Sequence, residues 1–196
     1  MNTGKDHLGG CILSGDSATY VTVVWDKLIE LFNIKSMLDV GCGCGYSTKY
    51  FIDKGVESLG VEGYIPAITN SLVKDNLEIH DYTLGVFVPL KRYDLAWCCE
   101  FVEHVEEKYV DNFMKTFDMC DVVAMTHGVP DQPGYHHVNC QEAEYWIKKL
   151  EEYDFEYLED ISFMLRDSLL TYTIETPQNL QFGGHVKNTL MIFKKK

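Results

Sequence analysis

The run Met37-Leu38-Asp39-Val40-Gly41-Cys42-Gly43-Cys44-Gly45-Tyr46 is an apolar strand that ends in three glycines at alternate positions. Glycine has no Cβ, so it tolerates positive φ and lets a ligand press on the backbone; glycines gather where a strand turns sharply beneath a bound nucleoside. Spacing separates the candidate ligands. A dinucleotide fingerprint needs a glycine at the sixth position, ahead of a helix N-terminus on the pyrophosphate. Here Tyr46 holds that position and no Lys-Ser/Thr pair follows. The turn predicts a nucleoside ligand without a phosphate cradle.

The segment Leu-Asp-Val-Gly-Cys-Gly-x-Gly resembles the first motif of class I S-adenosylmethionine (SAM)-dependent methyltransferases, whose ligand carries a carboxylate, an ammonium and a sulfonium. Later segments extend the resemblance. Val56 to Glu62 reads as a second strand, and Glu62 lies 21 residues after Gly41, where a carboxylate could accept from both ribose hydroxyls. Leu77 to Tyr82 reads as a third strand; by resemblance Asp81 faces the adenine amino group and Tyr82 flanks the ring. Arg92 to Glu100 reads as a fourth, running into Phe101-Val102-Glu103-His104-Val105. This segment is similar to the Glu-x-x-Glu-His-Val motif of many methyltransferases, including ubiquinone-type O-methyltransferases and small-RNA 3′-terminal 2′-O-methyltransferases. The resemblance is specific over roughly residues 37 to 130. It implies SAM as methyl donor, held by Asp39, Gly41, Gly43, Gly45, Glu62, Gly63, Asp81, Tyr82 and Glu100.

The chain of 196 residues is expected to form one methyltransferase domain over its whole length, 46% hydrophobic and without a repeat or linker. No apolar run approaches the roughly 20 residues of a membrane span, so no membrane partner is expected. The polar start Met1 to His7 lacks the apolar stretch of a signal peptide, so the expected location is cytoplasmic. The expected assembly is a monomer or homodimer. Seven cysteines, at 11, 42, 44, 98, 99, 120 and 140, contain no Cys-x-x-Cys pair and are expected to be reduced, with Cys42 and Cys44 as filler between glycines. A net charge of −13 opposes nucleic-acid binding, which depends on Lys and Arg neutralising phosphates.

Periodicity predicts alternating elements: helix 17–33 opening at Asp16-Ser17, strand 36–40, helix 46–54, strand 56–61, helix 65–74, strands 77–80 and 93–98, helix 106–118, strand 120–126, helix 140–152, strand 154–160 and a final strand 188–194. Residues 161–187 have no clean period. Strand–helix alternation implies right-handed crossovers and a mainly parallel sheet. The expected fold is therefore α/β and Rossmann-like, of the class I methyltransferase type: seven strands, the last antiparallel, with helices on both faces. The crevice lies at the carboxyl ends of the strands.

Two regions could carry catalysis. Read as helical, Glu100, Glu103 and His104 stand at i, i+3 and i+4 and would project to one side. After the fifth strand, Thr126 to Asn139 holds three histidines in a loop rich in Gly and Pro. An alcohol or phenol acceptor must lose a proton, and His104, His136 and His137, with Glu103, are the candidates. His7, His80 and His185 read as structural or surface groups, and His127 stays open. The small-RNA enzymes use a Glu-x-x-Glu-His set plus a later histidine for a metal, so a divalent ion is an alternative to direct base catalysis, though not the favoured one. The leading expectation is methyl transfer to the oxygen of a small-molecule acceptor. The alternatives are a metal-assisted RNA 2′-O-methyltransferase and a catalytically inactive SAM-binding regulatory module.

Overall fold

The computed structural model describes residues 7–170 and 183–196. Its elements run in chain order as α1 (Thr22–Phe32), β1 (Ser36–Val40), α2 (Tyr46–Asp53), β2 (Glu57–Glu62), α3 (Ile65–Thr69), β3 (Leu77–Ile79), β4 (Tyr93–Cys98), α4 (Val110–Phe117), β5 (Cys120–Met125), α5 (Ala143–Glu151), β6 (Phe155–Tyr157), α6 (Glu159–Ser168), α7 (Gly184–Thr189) and β7 (Met191–Lys195). The sheet order is β3-β2-β1-β4-β5-β7-β6. β1 to β5 pair in parallel, and β7 runs antiparallel to both β5 and β6.

Each central strand is buried on both faces, as a covered parallel sheet requires. Leu38 and Val40 of β1 join Ala96 and Cys98 of β4 on the face covered by α4 and α5, with Phe113, Phe117 and Trp146. Met37, Leu95 and Trp97 face the opposite way, beneath Val24, Trp25 and Leu28 of α1, Phe51 of α2 and Val186 of α7. Asp39 shares that second face by the alternation of the strand.

Local chemistry accounts for the departures from the expected elements. Asp16 does not cap α1: its Oδ1 accepts the N–H of Ala18 at 2.8 Å, and the helix starts at Thr22. The helix expected over 65–74 stops at Thr69. Asn70 Nδ2 donates to Pro66 O, Ser71 Oγ accepts from Val73 N, and Leu72 N donates to Cys44 O, so the chain leaves the helix to brace the glycine turn. The strand expected over 154–160 is only three residues long, and α6 follows in a stretch that had shown no period. Ser162, Leu165 and Leu169 form its inner row; a serine there obscures the apolar spacing. Ser162 Oγ donates to Leu158 O and accepts from Ile192 N, which ties α6 to β7. Residues 171–182 of the aperiodic segment lie outside the described residues. No helix among the described residues is long and apolar enough to cross a membrane.

Candidate functional site

A cavity of 780 Å³ opens at the carboxyl ends of β1, β2 and β4. Gly41, Gly43 and Gly45 turn the chain there with φ of 73°, 55° and 79°. A Cβ on Gly41 would stand 2.4 Å from Phe101 Cδ2, and one on Gly45 would stand 2.5 Å from Val73 Cγ2. These two glycines are required by packing. Gly41 and Gly43 line the cavity, as does Gly63; Gly45 does not.

Glu62, at the end of β2, fastens this turn. Its Oε2 accepts the N–H of Gly43 at 2.8 Å, and its Oε1 accepts those of Gly63 and Tyr64, each at 2.8 Å. Burial pushes its carboxyl up, opposed by those three N–H donors. Asp39 is 2% exposed and accepts from the hydroxyls of Ser47 and Thr48, each at 2.6 Å. Burial outweighs the two donors and raises its pKa to about 6.

Asp81 and Tyr82 also line the cavity, and their polar atoms have partners within the protein. Asp81 meets His7 Nε2 at 3.0 and 3.2 Å and accepts from the N–H and hydroxyl of Thr83. The Tyr82 hydroxyl points into the core and donates to Thr116 Oγ1 at 3.1 Å.

The Glu100-x-x-Glu103-His104 segment is not the single helical face that its spacing suggested. Glu100 has φ of 52°, and only Val102–His104 forms a 3₁₀ turn. Glu100 makes contacts of its own: its Oε1 accepts from Thr126 Oγ1 at 2.9 Å, and its Oε2 lies 3.0 Å from His185 Nδ1. Glu103 is fully buried, and neither of its carboxylate oxygens accepts a hydrogen bond of ordinary geometry. Burial, then the charge of Glu100, pushes its carboxyl well above the usual carboxylate range.

One oxygen of Glu103 and one ring nitrogen each of His104 and His137 lie within 4.8 Å of one another. His104 Nδ1 is 2.8 Å from Tyr135 O, and His137 Nδ1 is 3.2 Å from Gln132 O. A carbonyl only accepts, so in these contacts each ring donates from Nδ1, which leaves Nε2 as its other polar atom. The rings meet edge to face, with centroids 4.9 Å apart. Burial, then the neighbouring His137, lowers His104 to about 4. His136 does not line the cavity, and its buried Nε2 has no partner. His127 is buried away from the cavity with Nδ1 3.3 Å from Gly128 O.

Two features of the site have little signal in the sequence. His185 lines the cavity beside Glu100 rather than lying on an unrelated surface. Its position depends on α7, which periodicity did not reveal. The segment from His7 to Ser17 forms one wall: His7 reaches Asp81, Gly10 lies against His104, and Cys11 lies against the glycine turn. Its local signal is glycine at 9, 10 and 15, which permits a close backbone approach.

Neither a protein-family model nor a curated protein sequence matches the chain. Solved structures do. The methyltransferase domain of a bacterial CtHen1 superposes with a TM-score of 0.55 at 18% identity, covering 89% of this chain and 95% of that one. Magnesium protoporphyrin IX methyltransferase from Synechocystis PCC 6803, solved with bound SAH, gives 0.60 at 12% identity, covering 89% and 81%. The [4+2]-cyclase SpnF gives 0.54 at 14% identity, covering 95% and 88%. The chain has the Rossmann-like fold of class I SAM-dependent methyltransferases. The cyclase shows that this fold is not confined to proteins described as methyltransferases, so the fold alone does not fix the function.

Proposed function

We propose that this chain is a SAM-dependent methyltransferase acting on the oxygen of a small hydroxylated molecule. The observation that carries the reading is one cavity lined both by the glycine turn with Glu62 and by His104 and His137. Its 780 Å³ lies within the range of about 300–1,000 Å³ common to small-molecule sites. SAM, when bound, supplies an electrophilic methyl group whose transfer is an in-line displacement. The residues have to align the acceptor with it, at about 3 to 3.5 Å between the reacting atoms. Gly41, Gly43 and Gly63 present backbone to the cofactor, Glu62 offers its remaining lone pairs to the ribose, and Asp39 places a carboxylate near the cationic portion.

At the acceptor, His104 and His137 supply the imidazoles that line the cavity. A group with a pKa of about 4 is a weak base toward an alcohol, so His104 is better suited to binding than to removing a proton unaided. The buried, unpartnered Glu103 carboxylate and two imidazoles with Nδ1 held by carbonyls fit a divalent cation. Glu103, His104 and His137 would hold it, and it would lower the pKa of the acceptor hydroxyl. This donor set favours a metal-assisted form of the reaction. It also keeps a second reading, methylation of an RNA 2′-hydroxyl, in play, although the net charge of −13 opposes a polyanion.

The deciding experiment incubates the protein with labelled SAM and three acceptor sources: a panel of small phenols and alcohols, a cell extract, and a short RNA with a free 3′ end. Each is run with chelator and with Mg²⁺ or Mn²⁺. Label in a small molecule supports the main reading, and label confined to RNA replaces it with the second. SAM binding without transfer to any acceptor leaves an inactive SAM-binding module.

A further inference from the structure

We infer that Cys11 and Cys44 form a redox latch, closing as a disulfide that ties the wall segment 7–17 across the cavity. The two Sγ atoms lie 4.0 Å apart, one on the wall segment and one in the glycine turn. Both residues line the cavity, so the bond would join two parts of its wall. Gly43 makes room for the approach: a Cβ there would stand 3.2 Å from Cys11 Sγ. Cys42 is turned away, packed where a Cβ on Gly60 would lie 2.6 Å from its sulfur, which leaves Cys44 as the partner. Disulfide sulfurs stand about 2.05 Å apart, so the pair must close by roughly 2 Å. Glycines at 9, 10 and 15, all with positive φ, flank Cys11 and can take up that movement.

Where the segment packs shows what the latch would hold. His7 meets Asp81, and a Cβ on Gly9 would stand 2.8 Å from Tyr135 Cε1. A Cβ on Gly10 would stand 3.4 Å from His104 Cε1. The segment thus lies along both the proposed cofactor groups and the acceptor groups, so fixing it would slow ligand exchange there. Burial raises the Cys11 thiol to about 12 when the segment is down, so reaction begins with the segment lifted.

The oxidant is a low-molecular-weight disulfide of the glutathione type. One protein thiolate attacks it, forming a mixed disulfide and expelling one small thiol. The second protein thiol gives up its proton and attacks the mixed disulfide, expelling the other small thiol. Two protein thiols become one disulfide as one small disulfide becomes two thiols.

The full-length protein is equilibrated in oxidised and reduced glutathione, alkylated and mapped by peptide mass. Hydrogen exchange is then followed over residues 8–19. Oxidation is expected to yield a Cys11–Cys44 linkage and to slow exchange in that segment by about tenfold or more. Neither change should occur in Cys11→Ser or Cys44→Ser. Release of bound SAH should slow by about tenfold on oxidation, a part that rests on the proposed cofactor site. Absence of the linked peptide overturns the latch, as does linkage with unaltered exchange or slowing that persists in Cys11→Ser. If the latch forms but neither redox state binds SAM or SAH, the latch stands and the cofactor assignment falls.

Discussion

Glu62 Oε2 accepts the backbone N–H of Gly43 at 2.8 Å, so the carboxylate ending β2 holds the turn that ends β1. A residue expected to meet a ligand is therefore also a strut for the ligand-binding backbone. Its removal should affect stability and binding together.

Glu62→Ala leaves the N–H groups of Gly43, Gly63 and Tyr64 without their acceptor. The expected loss is about 1 to 3 kcal/mol in unfolding free energy, with a similar loss in SAM affinity. Denaturant titration and calorimetry measure the two. Affinity equal to that of the wild type would remove Glu62 from the cofactor site.

Gly41→Ala and Gly55→Ala separate steric crowding from backbone strain. Both glycines have positive φ, 73° and 80°. A Cβ on Gly55 meets nothing within 4 Å, whereas one on Gly41 runs into Phe101. Phe101 is itself wedged against Tyr82 and Phe113. Gly55→Ala should cost about 1 kcal/mol and Gly41→Ala at least about 2 kcal/mol more. Equal losses by chemical denaturation would contradict the packing of Phe101 on the turn.

Asp39 makes stability depend on pH. Its folded pKa is raised to about 6, above an unfolded value near 3.9. Between these values the folded chain holds a proton that the unfolded chain has lost, so stability falls as pH rises from about 4 to 6. The full cost, about 3 kcal/mol, is present above pH 6. Asp39→Asn should flatten that part of the stability profile. A wild-type-minus-mutant difference that does not vary across pH 4 to 6 would show that Asp39 is not the group responsible.

His104→Ala and His137→Ala should lower turnover by about 10²- to 10⁴-fold while leaving SAM affinity and melting temperature near wild type. In a metal-assisted enzyme, chelation abolishes activity in the wild type and added Mg²⁺ or Mn²⁺ restores it. Activity that survives chelation assigns these histidines to direct contact with the acceptor. Normal turnover in both variants would make them structural.

The parallel strands and the glycine turn were legible because their signals are local. Apolar runs such as Met37 to Val40 must be buried on both faces, and glycine at 41, 43 and 45 answers to positive φ at those residues. The end of β6 and the course of α6 were not legible. The inner row of α6 includes Ser162, whose hydroxyl is satisfied by Leu158 and Ile192, a pairing that hydrophobic spacing cannot register. The motif around Glu100 was legible in composition and misleading in geometry, because positive φ at Glu100 turns its side chain to Thr126 and His185.

By itself, the sequence determined the α/β alternation, the turn beneath the expected nucleoside, and the acidic and imidazole groups available to the site. Those properties follow from each residue's burial preference and backbone freedom over a few neighbours. Only the tertiary structure decided that Glu103, His104 and His137 converge, that Glu62 clasps Gly43, and that Cys11 comes to rest beside Cys44. Each of these contacts joins segments brought together by strand pairing and by packing on the sheet, and no local pattern encodes a distance between residues that meet only after the sheet has formed.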